Sequence, residues 1–165
     1  MKLRVIKKKE SDKIKTMGVL SENKKARLNF ETIETFEGGL SLKGFEVKSI
    51  KAGRMSLKSS FIKVKDEELF LVGATVPPYQ PKNTPSDYNP ERERKILIKK
   101  SEIKYLIGKS KEKGLTIIPL KVYTKRGLIK IEFALAKGRK KYNKKEIIKK
   151  REIEREIKRR LKEKL

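Results

Sequence analysis

Between Phe30 and Ala136 the apolar residues come in short runs, and each run is closed by residues that end regular structure. Gly38-Gly39, Lys65-Asp66-Glu67-Glu68 and Lys125-Arg126-Gly127 are bend or turn sequences. Five of the six prolines, Pro77, Pro78, Pro81, Pro85 and Pro90, crowd into residues 76–90 beside Asn83, Ser86, Asp87 and Asn89. Proline fixes φ and lacks an N–H, so this stretch is an exposed loop. Phe30 to Leu42 predicts a strand that bends or bulges at Gly38-Gly39. Phe61, Leu69, Phe70 and Val72 predict a hairpin about 65–68, and residues 115–124 and 128–136 predict a second about 125–127.

Two stretches change period. Val47, Ile50 and Phe45 share a helical face within Gly44 to Ala52, with Gly53 as a stop. Ile96, Leu97, Ile103, Leu106 and Ile107 fit a helix that opens near Lys99 to Ser101 and closes by Gly108 or Gly114. About six strands and two short helices in so short a chain predict a mainly β fold. The expected form is a closed or nearly closed β-barrel with short flanking helices. With 165 residues and 36% apolar content there is material for one modest core. Pattern alone does not separate one small barrel from another.

The two ends differ from this middle. The formal charge of +25 divides as +7 over residues 1–29, +8 over 30–136 and +10 over 137–165. Residues 1–20 show little pattern beyond charge and are expected to be a disordered basic extension, leaving 21–136 as the barrel and 137–165 as a basic tail. In the tail Ile153, Ile157, Leu161 and Leu165 recur every four residues. Glu154 with Lys158, and Glu156 with Arg160, are favourably oriented pairs worth ~0.3 kcal/mol each. The apolar stripe is one residue wide, so the predicted helix is conditional on a partner whose phosphates neutralise its Lys and Arg.

Basic ends on a folded body suit a polyanion, because each phosphate contact releases condensed counterions. A surface of Lys–Glu ion pairs would explain many charges but not 46 Lys/Arg against 21 Asp/Glu. A membrane-surface helix would carry Trp or Phe on its apolar face, and the tail has neither. Without Cys or His there is no disulfide, thiol nucleophile, His-based triad or ordinary zinc site. No apolar stretch approaches a membrane span, and Met1 to Ile6 meets charge too soon for a signal peptide, so a cytoplasmic protein is expected. A magnesium-dependent nuclease would need clustered carboxylates. Glu34, Glu37 and Asp66 to Glu68 are the local acidic groups, and 66–68 is better explained as a turn.

Asn23, Lys24, Lys25 and Arg27 place an amide among cations, able to hold a base edge or sugar together with phosphate, or else form a solvated arm. Glu37 is either an exposed turn carboxylate or an acceptor for base amino groups. Lys48, with Lys51 and Arg54, gives the helix 44–52 a basic face. Arg94 and Lys95 precede Leu97, which is a core residue if buried and a surface for an unstacked base if exposed.

The run Gly44-Phe45-Glu46-Val47-Lys48-Ser49-Ile50-Lys51-Ala52-Gly53, preceded by Asn23-Lys24-Lys25-Ala26-Arg27 and followed by Lys95-Ile96-Leu97-Ile98, resembles the small protein B family of SsrA-binding proteins. Leu106-Ile107-Gly108-Lys109, Gly114 to Leu120 and Ala134-Leu135-Ala136-Lys137-Gly138 follow in the family's order, so the resemblance covers about residues 21–165. It implies an oligonucleotide-binding-type (OB) barrel, no enzymatic activity and no cofactor or metal. It implies an RNA-binding adaptor of trans-translation that binds the tRNA-like domain of tmRNA and delivers it to stalled 70S ribosomes. Elongation factor Tu joins the delivery, and alanyl-tRNA synthetase is met only through tmRNA.

Asn23, the neighbouring cations, Glu37 and Leu97 match the family's RNA-binding positions. In the tail, Gly138, Arg139, Lys140, Asn143, Lys144, Lys145, Ile148 and Arg151 match a segment that enters the decoding centre and empty mRNA channel. Two departures stand out: Leu28-Asn29-Phe30 replaces the usual His-(Asp/Glu)-Tyr, and Asn143 replaces an Asp. The family's short N-terminal arm makes Met17 a candidate start. A generic OB-fold ribosomal or single-strand RNA-binding protein is the alternative, although such proteins display aromatic stacking platforms and only 7% of residues here are aromatic.

Overall fold

The computed structural model describes residues 18–163. In it, β1 is Val19–Glu22, α1 Lys24–Asn29, β2 Phe30–Leu40, α2 Gly44–Lys51, β3 Phe61–Lys65 and β4 Glu68–Val72. After the proline-rich loop come β5 Arg94–Leu97, α3 Lys100–Ser110, β6 Leu115–Lys125, β7 Leu128–Gly138 and α4 Lys141–Glu163. The seven strands form one antiparallel sheet in the order β1-β6-β7-β2-β5-β4-β3. Strand β3, at one end of that order, comes back against β6, so the sheet curls around its inner face.

Both expected hairpins form, each with a two-residue turn whose central residues have positive φ. Asp66 (49°) and Glu67 (56°) join β3 to β4, and Arg126 (51°) and Gly127 (77°) join β6 to β7. Such turns match the right-handed twist of the strands they connect. The register slips between Pro119 and Lys121, where proline has no N–H to give the ladder.

The bulge in β2 is not at Gly38-Gly39. It lies between Thr32 and Glu34, while pairing with β7 runs on unbroken to Gly39. The glycines serve a different purpose: a Cβ on Gly38 would come within 2.6 Å of Ile98 Cγ2 and 2.8 Å of Ile96 Cγ2, so only glycine lets β5 approach so closely.

The inner core gathers Phe36, Leu69, Leu71, Ile96, Ile117, Ile131 and Phe133 from the sheet, Ile50 from α2 and Leu106 from α3. A smaller cluster lies on the outer face of β6 and β7, where Ala26 of α1 covers Ile118, Leu120, Ala134 and Ala136.

Four differences from the sequence expectation follow. Ile96 and Leu97 belong to a strand, not to the helical run, because so short an apolar stretch carries either period. The segment 24–29 is a helix. Strand β1 begins at Val19, inside the segment assigned to the extension, whose other residues lie almost wholly outside the described range, as do Met17 and Leu165. Strand β7 continues through Lys137 and Gly138, which pair with Glu31 and Phe30, so the tail leaves the sheet two residues later than expected.

Candidate nucleic-acid interface

Asn23 caps α1. Its Oδ1 accepts from the Ala26 N–H at 3.1 Å, its Nδ2 donates to the Pro119 carbonyl at 3.3 Å, and its backbone N–H donates to the Leu120 carbonyl at 2.8 Å. With these bonds it is 7% exposed. The amide predicted as an RNA contact is therefore turned into the protein, where it satisfies one orphan N–H of the helix and ties α1 to β6. Ala26 is buried beneath the helix while Lys24, Lys25 and Arg27 stand exposed along its outer side. Arg27 reaches Glu22 at 3.6 Å.

The same outer face continues below α1. Residues two apart on a strand share a side, so Glu132 faces as Ala134 does, and its cross-strand partner Glu37 faces with it. The Tyr123 hydroxyl donates to Glu37 Oε2, and the Lys125 ammonium donates to both carboxylate oxygens at 3.0 and 3.1 Å. Burial pushes the Glu37 carboxyl up, but these bonds and the charges of Lys125 and Lys130 outweigh it and hold the group below its usual range. Burial, together with the bond to Glu37, raises the Tyr123 phenol well above its ordinary value, so the hydroxyl stays protonated as a donor. Next to this pair Lys121 and Glu132 form a buried ion pair at 3.2 Å.

Leu97, paired with Gly39 on the same face, is 52% exposed. It is thus available as a surface and is no part of the core. Tyr123, Lys125 and Lys130 were missed in the sequence. Strict alternation along the hairpin, with Ile129 and Ile131 inside, would have placed them beside Glu37.

Arg94 is the second predicted contact that lies inside the protein. It is fully buried: Nε bonds Glu46 Oε1 at 3.0 Å, Nη1 bonds the Ala74 and Arg92 carbonyls at 2.9 and 3.0 Å, and Nη2 bonds the Pro90 carbonyl at 2.9 Å. Glu46, from the first turn of α2, also takes Arg92 Nε at 2.8 Å, the Tyr88 hydroxyl at 3.1 Å and the Lys43 backbone N–H at 2.8 Å. Burial raises the Glu46 carboxyl, yet the Arg92 and Lys43 bonds and the adjacent guanidinium charges bring it down to about 2. This buried network fastens both ends of the proline-rich loop to α2.

Of the remaining predicted residues, Lys95 is half-buried and pairs with Glu68, and Lys48 is exposed on α2 near Lys51 and Arg54. The Arg54 guanidinium lies over the Tyr79 ring at 5.5 Å.

The tail begins where the basic helix ends. Gly138 pairs with Phe30, the Arg139 N–H donates to the Asn29 carbonyl at 2.8 Å, and Arg139 Nε donates to the Phe30 carbonyl at 3.1 Å. Helix α4 then runs for 23 residues without burying one of them. Lys140, Asn143, Lys145, Ile148 and Arg151 are exposed and Lys144 is half-buried. Ile153, Ile157 and Leu161 form the expected stripe, each at least 50% exposed, and Glu156 pairs with Arg160 at 2.6 Å.

Among the described residues, no helix is long and apolar enough to cross a membrane, and no three acidic side chains are grouped to hold a metal ion.

Comparison with known proteins places this arrangement. An SsrA-binding protein of Thermosipho africanus is 49% identical over 142 residues, spanning 86% of this chain and 95% of that protein. One from Pelotomaculum thermopropionicum is 49% identical over 147 residues, spanning 89% and 95%. A solved chain described as "tmRNA-SmpB: a journey to the center of the bacterial ribosome" is 41% identical with a TM-score of 0.60, over 77% of this chain and 92% of that one. The model of the family described as SmpB protein matches residues 20–163, and the chain belongs to that family.

Proposed function

We propose that this protein is a non-enzymatic, cytoplasmic RNA-binding adaptor of trans-translation. It binds the tRNA-like domain of tmRNA and carries it, with elongation factor Tu, to ribosomes stalled without a codon in the decoding site. Alanyl-tRNA synthetase is reached only through the RNA. The curled sheet is an OB-type barrel: β3 returns to β6 around a single inner core, and small helices cover its openings.

The observation that carries this function is the meeting of three features on one side of the sheet. The exposed cations of α1 and the face of Glu37 and Leu97 lie on the outer side of the sheet, and the root of the basic tail at Arg139 is bonded to the last residue of α1. Lys24, Lys25 and Arg27 bind phosphate, Glu37 accepts from a base and Leu97 packs on an unstacked base or sugar. Lys48 and Lys95 extend the basic surface. Asn23 and Arg94 act from beneath, one by capping α1 and the other by bracing the loop 73–93.

Helix α4 has no side chain buried against the body, so it is ordered by its partner. In the empty mRNA channel Gly138, Lys140, Asn143, Lys144, Lys145, Ile148 and Arg151 meet ribosomal RNA, while Arg139 holds the root. Measured affinity for tmRNA and for an ordinary tRNA tests the assignment. Reversing Lys24 and Lys25 should weaken both RNAs and flatten the salt dependence by about one unit for each phosphate no longer neutralised. Glu37→Gln or Leu97→Ala should weaken tmRNA more than tRNA.

A further inference from the structure

Glu37 is held more firmly than an exposed carboxylate requires. A carboxylate offers about four lone-pair positions. Tyr123 and Lys125 fill both positions on Oε2, and Lys125 fills one on Oε1. One position on Oε1 remains, on a side chain 22% exposed. Two residues along β2 on the same face, Gly39 has no side chain, and Leu97 lies across it: a Cβ there would sit 3.5 Å from Leu97 Cβ and 3.8 Å from Cδ1. Glu37 and Gly39 stand about 7 Å apart along β2, so the open acceptor and the apolar shelf of Leu97 line the same face of the sheet.

We propose that Tyr123 and Lys125 are positioning residues that lock Glu37 in one rotamer, so that Glu37 Oε1 accepts an amino or imino N–H from an unstacked base on the face that Leu97 also lines. The proposal rests on Glu37 being an RNA contact and adds what makes it selective. A free glutamate would lose rotamer entropy on binding and could turn to any neighbouring lysine. Here that ordering is completed in the fold, because Tyr123 reaches across β7 from two strands away and Lys125 closes the other side. The fixed acceptor rejects a base edge that presents a lone pair, as two acceptors facing each other leave both unpaired.

The test is a double-mutant cycle read as tmRNA affinity in the full-length protein. Glu37→Gln, Tyr123→Phe and Lys125→Met should each lose roughly tenfold, the scale of one hydrogen bond to a charged group. Tyr123→Phe in the Glu37→Gln background should lose almost nothing further. Lys125→Arg should recover most of what Lys125→Met loses, and Tyr123→Phe should keep its melting temperature, because the ring stays packed. Loss on Glu37→Gln with none on Tyr123→Phe, or with fully additive losses, overturns the positioning role alone. No loss on Glu37→Gln overturns it together with the assignment of Glu37 as a contact.

Discussion

Arg139 is bound twice at the junction of α1 and β2: its backbone N–H donates to the Asn29 carbonyl at 2.8 Å and its Nε to the Phe30 carbonyl at 3.1 Å. The tail therefore leaves β7 beside the helix that carries Lys24, Lys25 and Arg27, and its direction is set by that joint. Replacing Arg139 by Ala keeps the backbone bond and removes the charge-assisted one. Affinity for tmRNA should stay within about twofold, whereas peptide tagging on stalled ribosomes should fall by about tenfold. Equal losses in both assays would make Arg139 an RNA contact.

Glu46 makes stability depend on acid. Its folded pKa of about 2 lies below the ordinary value of 4.5, so the ionised form is favoured by folding. The contribution, about 3 kcal/mol, is fully present above pH 4.5 and is lost as pH falls through 2. Urea unfolding between pH 7 and pH 2.5 should show that decline, and Glu46→Gln should be about 3–5 kcal/mol less stable at pH 7 with a flatter acid limb.

Gly38→Ala tests why β2 needs glycine. Its methyl would press on Ile96, which is 1% exposed and has nowhere to move. A loss of about 1–3 kcal/mol in urea unfolding is expected, together with weaker tmRNA binding as β5 and Leu97 shift. Wild-type stability in this variant would mean that β5 stands farther from β2.

Several elements could be read directly in the chain. The turn at Arg126-Gly127 and the two strands it joins follow from local chemistry, as do α2 and the start of α3. What escaped depends on residues far apart in sequence. Arg94 looks like a surface charge until Glu46, 48 residues earlier, folds against it. Glu37 looks like a turn carboxylate until Tyr123, 86 residues later, reaches it. Helix α1 was hidden because its six residues bury only Ala26 and have no amphipathic period to detect.

Asn23 separates a cap from a contact. Asn23→Ala should cost about 1–2 kcal/mol of stability and weaken tmRNA binding by releasing α1. Asn23→Ser restores an N-cap oxygen, so it should regain most of both. If it binds RNA as poorly as Asn23→Ala while its stability recovers, the amide itself touches the RNA.

The proposed function divides labour between a body that selects the RNA and a tail that licenses the ribosome. Because β7 extends to Gly138 and Arg139 anchors the joint, a body of residues 1–140 keeps the sheet whole. Binding of full-length protein and of this truncation to tmRNA and to an ordinary tRNA, followed by peptide tagging on stalled ribosomes, measures both halves. Both forms should prefer tmRNA, and only the full-length protein should support tagging. Equal affinity for the two RNAs, disappearing with the tail, would contradict that division and leave a nonspecific basic binder.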